Sequence, residues 1–208
     1  MSQRISRREF VRNTGLYGAG LLIALDLPRP RAAAAAAASK ARSILSEHEW
    51  RTIESACARI IPSSSGGEPG AREAGCVNFI DKALAHEDAE ALPLYRAGVQ
   101  CLDTVATTLR GEPFAKLEEE DQDDLLRSLE LGDVPGWPVP KAPPQLLFET
   151  LRAHTIIGFL ADPKYGGNRD YAGWRVAGYP GGRHKLGGYT PEQVEGKTPI
   201  VPVWKGKG

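Results

Sequence analysis

The chain has few cysteines and no cysteine motif. Cys57, Cys76 and Cys101 are too far apart for a C-x-x-C pair, and no C-x-x-C-H haem attachment sequence occurs. Cys57 and Cys76 recur at helical spacing with aliphatic neighbours, which favours buried core positions over a disulfide. An odd number of cysteines leaves at least one thiol without a disulfide partner inside the chain.

The sequence also lacks the short motifs that mark common catalytic sites. It contains no G-x-S-x-G elbow, no G-x-x-x-x-G-K-[ST] loop and no G-x-G-x-x-G segment between a strand and a helix. These gaps argue against a serine hydrolase and against a nucleotide-binding enzyme. The four histidines are scattered, and none forms an H-x-x-x-H pair, so a zinc site would have to be assembled by the fold alone.

An excess of positive charge is missing as well. The 26 basic residues balance the 26 acidic ones. Residues 1–38 contain six arginines and two acidic residues, a net charge of +4, so the remainder carries 0 − 4 = −4. A mildly acidic surface argues against a nucleic-acid partner, which requires a basic footprint.

Residues 1–38 have the features of an export signal. Arg7 and Arg8 form a twin-arginine pair, with Phe10 two positions later. The apolar stretch Leu16–Leu27 follows, and an alanine run after it offers A-x-A cleavage choices. The stretch is too short for a spanning helix, which needs about 20 mostly apolar residues. We therefore predict a cleaved twin-arginine signal peptide. That route moves folded proteins, so this chain or a bound partner is expected to fold before export.

Helical periodicity dominates the rest of the chain. Ser46 and Glu49 form a capping box that begins the first predicted helix, and Pro62 with the serine and glycine residues after it ends that helix. The further predicted helices cover residues 71–87, 93–110, a leucine-rich segment after Phe114, and 144–161. No segment alternates with period two for long enough to predict a strand. The sequence therefore predicts an all-α fold, a single domain of about five helices.

The last part of the chain changes character. Residues 162–182 combine many glycines with aromatic and charged residues, a composition typical of loops with unusual backbone angles held by large rings. We assign residues 39–182 to the helical domain with this glycine-rich loop and 183–208 to an extended C-terminal arm. The arm carries apolar residues that an isolated domain would cover poorly, including Val201 and Trp204, which makes it a candidate partner surface.

His154 is the histidine of most interest, because it lies on the fifth predicted helix just before the loop. We expect it to fix the loop by hydrogen-bonding its backbone, Asp162 or Asp170, and we place Asn168 in the same loop-fixing set. A catalytic base would show the same pattern. The structural role is favoured, because no matching acid, nucleophile or cofactor motif accompanies His154.

The same C-terminal block resembles a known family. Its residues are Leu151-Arg152-Ala153-His154-Thr155, Gly158-Phe159, Asp162-Pro163-Lys164-Tyr165-Gly166-Gly167-Asn168, Gly173-Trp174 and Gly178-Tyr179-Pro180-Gly181. Together with Arg59-Ile60-Ile61-Pro62, Pro69-Gly70-Ala71, Phe79-Ile80-Asp81 and the twin-arginine leader, this order resembles the gluconate 2-dehydrogenase subunit 3 family. The resemblance covers nearly all of the chain after the leader.

The resemblance implies a small, non-catalytic subunit of a periplasmic, membrane-associated dehydrogenase. In such complexes an FAD-containing flavoprotein of the glucose-methanol-choline class oxidises a sugar, sugar acid or polyol, and a multihaem cytochrome c subunit takes the electrons. The small subunit supports maturation of the flavoprotein and carries it through the twin-arginine translocase. No cofactor is then expected in this chain; FAD belongs to the large subunit and haem c to a third.

We predict that the partner surface uses Tyr165, Trp174, Tyr179 and Trp204, since such aromatic residues often dominate interface energetics. In the alternative, Trp174 and Tyr179 only pack their own loop against the fifth helix. Two other functions remain open from the sequence. The chain could be an oxidoreductase or metal-dependent enzyme that uses His154, or a free-standing periplasmic binding module.

Overall fold

The computed structural model describes residues 44–138, 142–182 and 188–202. Within these ranges the chain is helical, with no strand and one isolated parallel bridge, between Gly181 and Val201. The predicted all-α class is confirmed. The described α-helices are α1 Glu47–Ile60, α2 Ala71–Ala74, α3 Cys76–Ala85, α4 Leu92–Arg110, α5 Glu119–Leu131, α6 Pro144–Leu160, α7 Ala172–Ala177 and α8 Pro191–Val194.

The capping box at the start of α1 forms as predicted. The Ser46 amide donates to a Glu49 carboxylate oxygen at 2.7 Å, and the Glu49 amide donates to the Ser46 hydroxyl at 3.2 Å. The preceding residue is also anchored, because the amide of buried Leu45 donates to Asp81 on α3 at 3.0 Å. At the other end of α1, the Arg59 guanidinium pairs with both carboxylate oxygens of Asp123 on α5, at 2.7 and 2.8 Å.

The second predicted helix is broken into α2 and α3. Gly75 adopts a left-handed conformation with φ of 67°, which ends α2 and begins α3. Its carbonyl accepts a hydrogen bond from the Asn78 side chain at 3.1 Å. The prediction of one continuous helix over residues 71–87 was therefore wrong, because glycine adopts this conformation without a steric penalty.

Close approach at Gly98 holds α4 against α6. A Cβ atom on Gly98 would lie 2.5 Å from a Leu147 methyl carbon, so only glycine fits without a shift of Leu147. The connector between α5 and α6 is anchored by buried Trp137, whose indole nitrogen donates to the carbonyl oxygen of Ala142 at 2.7 Å.

Helix α6 lies at the centre of the domain. It packs against α1 to α5 and against α7, and it contributes Leu147, Leu151 and Phe159 to the core. Over the described ranges, no helix combines the length and apolarity needed to cross a membrane. The central position of α6 matters for the site, because the glycine-rich loop begins where this helix ends.

Candidate functional site

The loop after α6 turns back along the helix that precedes it. Asp162 begins the turn, because its carboxylate accepts a hydrogen bond from the Lys164 amide at 3.0 Å. Gly167 then approaches α6 so closely that a Cβ atom would lie 2.0 Å from the carbonyl oxygen of Gly158. Gly173 does the same at Phe159, where a Cβ atom would lie 1.8 Å from the carbonyl oxygen. Backbone packs directly on backbone at both points.

Asn168 holds the loop from inside. Its fully buried side chain donates to the carbonyl oxygen of Ala161 at 2.8 Å and accepts from the Gly173 amide at 2.9 Å. Asn168, Asp170 and Tyr171 all have left-handed backbone angles, with φ of 47°, 53° and 58°. Such angles cost roughly 1–2 kcal/mol for a residue with a side chain. The loop therefore depends on its hydrogen bonds and packing to stay in this shape.

Trp174 closes the end of α6. Its side chain is only 4% exposed, and its indole nitrogen donates to the carbonyl oxygen of Leu160 at 2.6 Å. Leu160 is the last residue of α6, and carbonyl groups in a last helical turn lack an intrahelical partner. Trp174 thus donates a hydrogen bond to a carbonyl group that has no partner within α6.

Aromatic rings continue outward from Trp174. Tyr171 stacks on it at a centroid distance of 5.4 Å, and Tyr179 meets it edge to face at 4.9 Å. Tyr189, from the C-terminal segment, meets Tyr179 edge to face at 6.3 Å. Burial, together with the hydrogen bond to Tyr189, raises the pKa of Tyr179 to about 12. The phenol of Tyr179 is therefore neutral at physiological pH.

The C-terminal segment is attached to this loop. The Tyr189 hydroxyl donates to the carbonyl oxygen of Gly181 at 2.8 Å, and the Gly182 amide donates to the carbonyl oxygen of Val201 at 2.8 Å. Pro202 is buried. The predicted arm is thus folded onto the loop through the described part of the tail, and Val201 is half-buried. Trp204 lies outside the described residues.

The predicted partner residues do not form one exposed surface in the described ranges. Trp174 and Tyr179 lie together, with Trp174 buried and Tyr179 half-buried, whereas Tyr165 is exposed. The packing favours the alternative in which Trp174 holds its own loop against α6. A partner contact at Tyr165 or Tyr179 stays a prediction, and the export residues Arg7, Arg8 and Phe10 lie outside the described ranges.

His154 does not contact the loop groups that the sequence suggested, and this expectation is corrected. Its Nδ1 atom lies 2.9 Å from the Tyr95 hydroxyl, and its Nε2 atom lies 3.4 Å from a carboxylate oxygen of Asp88. The imidazole therefore bonds to α4 and the turn before it, not to Asp162 or Asp170. The loop instead returns over the backbone of the last turn of α6, at Gly158 and Phe159.

Sequence reasoning missed a polar chain that runs from buried Tyr95 through His154 to the partly exposed Asp88. The Tyr95 and His154 rings are stacked at a centroid distance of 5.8 Å. Burial lowers the pKa of His154, although the Asp88 carboxylate raises it, and burial raises the pKa of Tyr95. The cavity that Tyr95 lines has a volume of about 10 Å³, room for one water molecule and no sugar. No local motif signals this chain, because Tyr95 and His154 are 59 positions apart.

The cysteines show no reactive arrangement. All three are buried and unbridged. Cys57 accepts a hydrogen bond from the Thr155 hydroxyl at 3.2 Å, and burial raises its pKa to about 12, so its thiol stays protonated. In the part of the chain that the structure describes, no three histidine, cysteine or acidic side chains converge as metal ligands would.

A polar cleft of about 300 Å³ opens beside the end of α1. Arg59 lines it but is paired with Asp123, and Glu73 accepts hydrogen bonds from the Ser63 hydroxyl at 2.6 Å and the Gly70 amide at 2.8 Å. These two charged groups of the cleft are already paired within the domain.

The described residues define a helical domain that ends in a glycine-rich and aromatic loop. Most buried polar groups of this domain hydrogen-bond to other groups of the same domain. A family model described as gluconate 2-dehydrogenase subunit 3 matches residues 47–181, from α1 through the aromatic loop. The match covers more than half of the chain, and the chain therefore belongs to this family. It is a subunit of the gluconate 2-dehydrogenase type, with partner subunits. No curated protein and no solved structure matched the chain.

Proposed function

We propose that this chain is the non-catalytic small subunit that matures an FAD-dependent dehydrogenase and carries it out of the cytoplasm. The observation that carries the proposal is that a segment with the twin-arginine pattern, at Arg7 and Arg8, precedes a domain of a dehydrogenase-subunit family in the same chain. A chain without a cofactor of its own has little need to cross a membrane folded. A partner loaded with FAD does have that need.

The partner in this proposal is a flavoprotein of the glucose-methanol-choline class that holds FAD and oxidises a sugar, sugar acid or polyol. A multihaem cytochrome c is the third subunit and accepts the electrons through haem c. The complex is periplasmic and membrane-associated, and this chain reaches the periplasm by the twin-arginine route. The chain acts in it as an export chaperone and scaffold, holding neither cofactor.

The test is an arginine-to-lysine exchange in the leader. Changing both Arg7 and Arg8 to lysine is expected to leave this chain and its flavoprotein partner in the cytoplasm. The matched control changes Arg29 and Arg31, which follow the apolar stretch, and is expected to leave export intact. Localisation of both proteins and periplasmic dehydrogenase activity are the measurements. Normal periplasmic activity with the first variant would rule out the carrier role.

A second measurement addresses catalysis by the chain itself. Purified alone, the mature chain is expected to show no flavin or haem absorbance and no sugar oxidation with an artificial electron acceptor. A coloured product or turnover that His154→Gln abolishes would establish the enzyme alternative instead.

A further inference from the structure

Helix α6 exposes apolar residues on its outward face, although it is the central helix of the domain. Leu146 is 49% exposed and Ile157 is 39% exposed, and Ala153 between them is also exposed. Positions separated by seven and four residues lie on one face of a helix. A surface helix normally turns polar residues outward, so an apolar outward face marks a surface that another molecule covers.

The polar groups near this face do not interrupt it. Thr150 is half-buried, and its hydroxyl donates to the carbonyl oxygen of Leu146 at 2.7 Å, so its hydrogen-bonding need is met within the helix. From Leu146 to Ile157 the face runs eleven residues, or about 16 Å at a rise of about 1.5 Å per residue. That length accommodates three turns of a helix or a short extended segment.

A further exposed leucine lies where α5 ends, near the start of α6. Leu131, the last residue of α5, is 68% exposed. The next residue, Gly132, packs against Gln145, because a Cβ atom there would lie 2.7 Å from the Gln145 side chain. The end of α5 therefore adjoins the start of α6. We call Leu131, Leu146, Ala153 and Ile157 the α6 face.

Acidic residues predominate around the α6 face. Glu149 lies beside it on α6, and Glu130 and Asp133 lie at the end of α5; all three are exposed. The basic residue nearby, Arg152, is 3.4 Å from Glu130 and lies over the Phe148 ring at 5.5 Å. We call these three acidic residues and Arg152 the rim of the α6 face; its formal charge is 1 − 3 = −2. The matching partner surface is apolar at its centre and carries lysine or arginine at its edge.

This charge favours a different chain over a second copy. A two-fold dimer through the α6 face would bring two acidic rims together, and like charges at an interface are unfavourable. The family is one of subunits, so a different chain is present to cover the surface.

We propose that the α6 face binds the large flavoprotein subunit, through an apolar surface of that subunit edged by basic residues. The inference rests on the proposed function and adds to it the contact surface. It moves the main contact from the aromatic loop, where Trp174 is buried, to the outward side of α6.

The test compares charge substitutions on and off the face. Ile157→Glu and Leu146→Glu are each expected to lower recovery of the flavoprotein with the tagged full-length chain at least tenfold. The matched control is Leu109→Glu, because Leu109 is also exposed, at 41%, but lies far from the α6 face. Leu109 is next to Arg110, the last residue of α4, and Arg110 pairs with Asp121 at the start of α5, whereas Leu131 is at the end of α5. The control is expected to recover the flavoprotein as wild type does. Circular dichroism and thermal melting check that all three variants fold.

Each result decides a separate point. Wild-type chain that recovers no flavoprotein would overturn the proposed function. Wild-type recovery that both α6 variants retain would overturn the α6 assignment alone. Equal loss in Leu109→Glu would also overturn it. If Ile157→Glu turned a dimer of this chain into a monomer without changing flavoprotein recovery, a second copy would be the occupant. Glu149→Lys changes the formal charge of the rim from −2 to 0 and should weaken recovery more at low salt than at high salt.

Discussion

The indole nitrogen of Trp174 lies 2.6 Å from the carbonyl oxygen of Leu160 and donates a hydrogen bond to it. The bond joins the loop to the last residue of α6, so one side chain both caps a helix and fixes the loop that follows. The loop therefore contributes to the stability of the domain as well as to its surface.

Removing this hydrogen bond should destabilise the domain. Trp174→Phe keeps an aromatic ring but leaves the carbonyl of half-buried Leu160 without its donor, at a cost of about 1–3 kcal/mol. Trp50→Phe is the control, because Trp50 is half-buried and its indole has no recorded hydrogen bond among the described residues. Urea unfolding of both variants gives the difference in the free energy of unfolding. Equal losses would show that the Trp174 bond adds nothing.

Adding one methyl group at Gly173 should be costly. A Cβ atom there would lie 1.8 Å from the carbonyl oxygen of Phe159, so Gly173→Ala forces two backbone segments apart. We expect a loss of about 3 kcal/mol, the upper end for overpacking. At Gly66 the nearest atom to the same Cβ would be 3.6 Å away, in the Ser64 side chain, and Gly66→Ala should change stability little. Thermal unfolding separates these outcomes, and similar melting temperatures would contradict the close approach.

Two substitutions at Asn168 should separate backbone strain from hydrogen bonding. Asn168→Gly and Asn168→Ala both remove the bonds to Ala161 and Gly173, at about 1–3 kcal/mol for each buried group left unpaired. Only alanine adds the cost of a left-handed residue, roughly 1–2 kcal/mol. Asn168→Ala should therefore be the less stable variant by that amount in chemical denaturation. Glycine equal to or worse than alanine would show that the φ angle is not strained.

Stability should fall in mild acid because of His154. Burial sets its folded pKa below the unfolded value of about 6.5, so the unfolded chain binds more protons near that pH. The free energy of unfolding is then expected to decrease as the pH drops through about 6.5, and this contribution levels off below the folded pKa. His154→Gln should flatten that slope, because it removes the titrating group. An unchanged slope in His154→Gln would contradict the prediction.

Helix starts and stops were the most predictable part of the fold. Ser46 and Glu49 are three positions apart on the chain, and their capping box depends only on local geometry. Thr190 caps α8 in the same way, with Gln193 completing the box. The break at Gly75 was not predictable, because an isolated glycine inside a helical pattern can either continue the helix or adopt the left-handed conformation that ends it.

The site was predictable in composition but not in contacts. The many glycines and aromatic residues between positions 162 and 182 indicated an unusual loop. Asn168, which was predicted to fix that loop, does hydrogen-bond to Ala161 and Gly173 on either side of it. The short helix α7 within that loop was missed, because it has only six residues, contains Gly173 and is followed directly by Gly178. The partners of His154 could not be inferred, since Tyr95 is brought to it by the packing of α4 on α6 and not by any local pattern.

The bridge between Gly181 and Val201 sets an order of events during protein synthesis. The Gly182 amide obtains its partner, the Val201 carbonyl oxygen, only after residue 201 has been added to the chain. The loop that closes α6 is thus completed later than any of the eight described helices is synthesised. A chain cut before residue 201 would contain all of these helices but would lack this last tie on the loop.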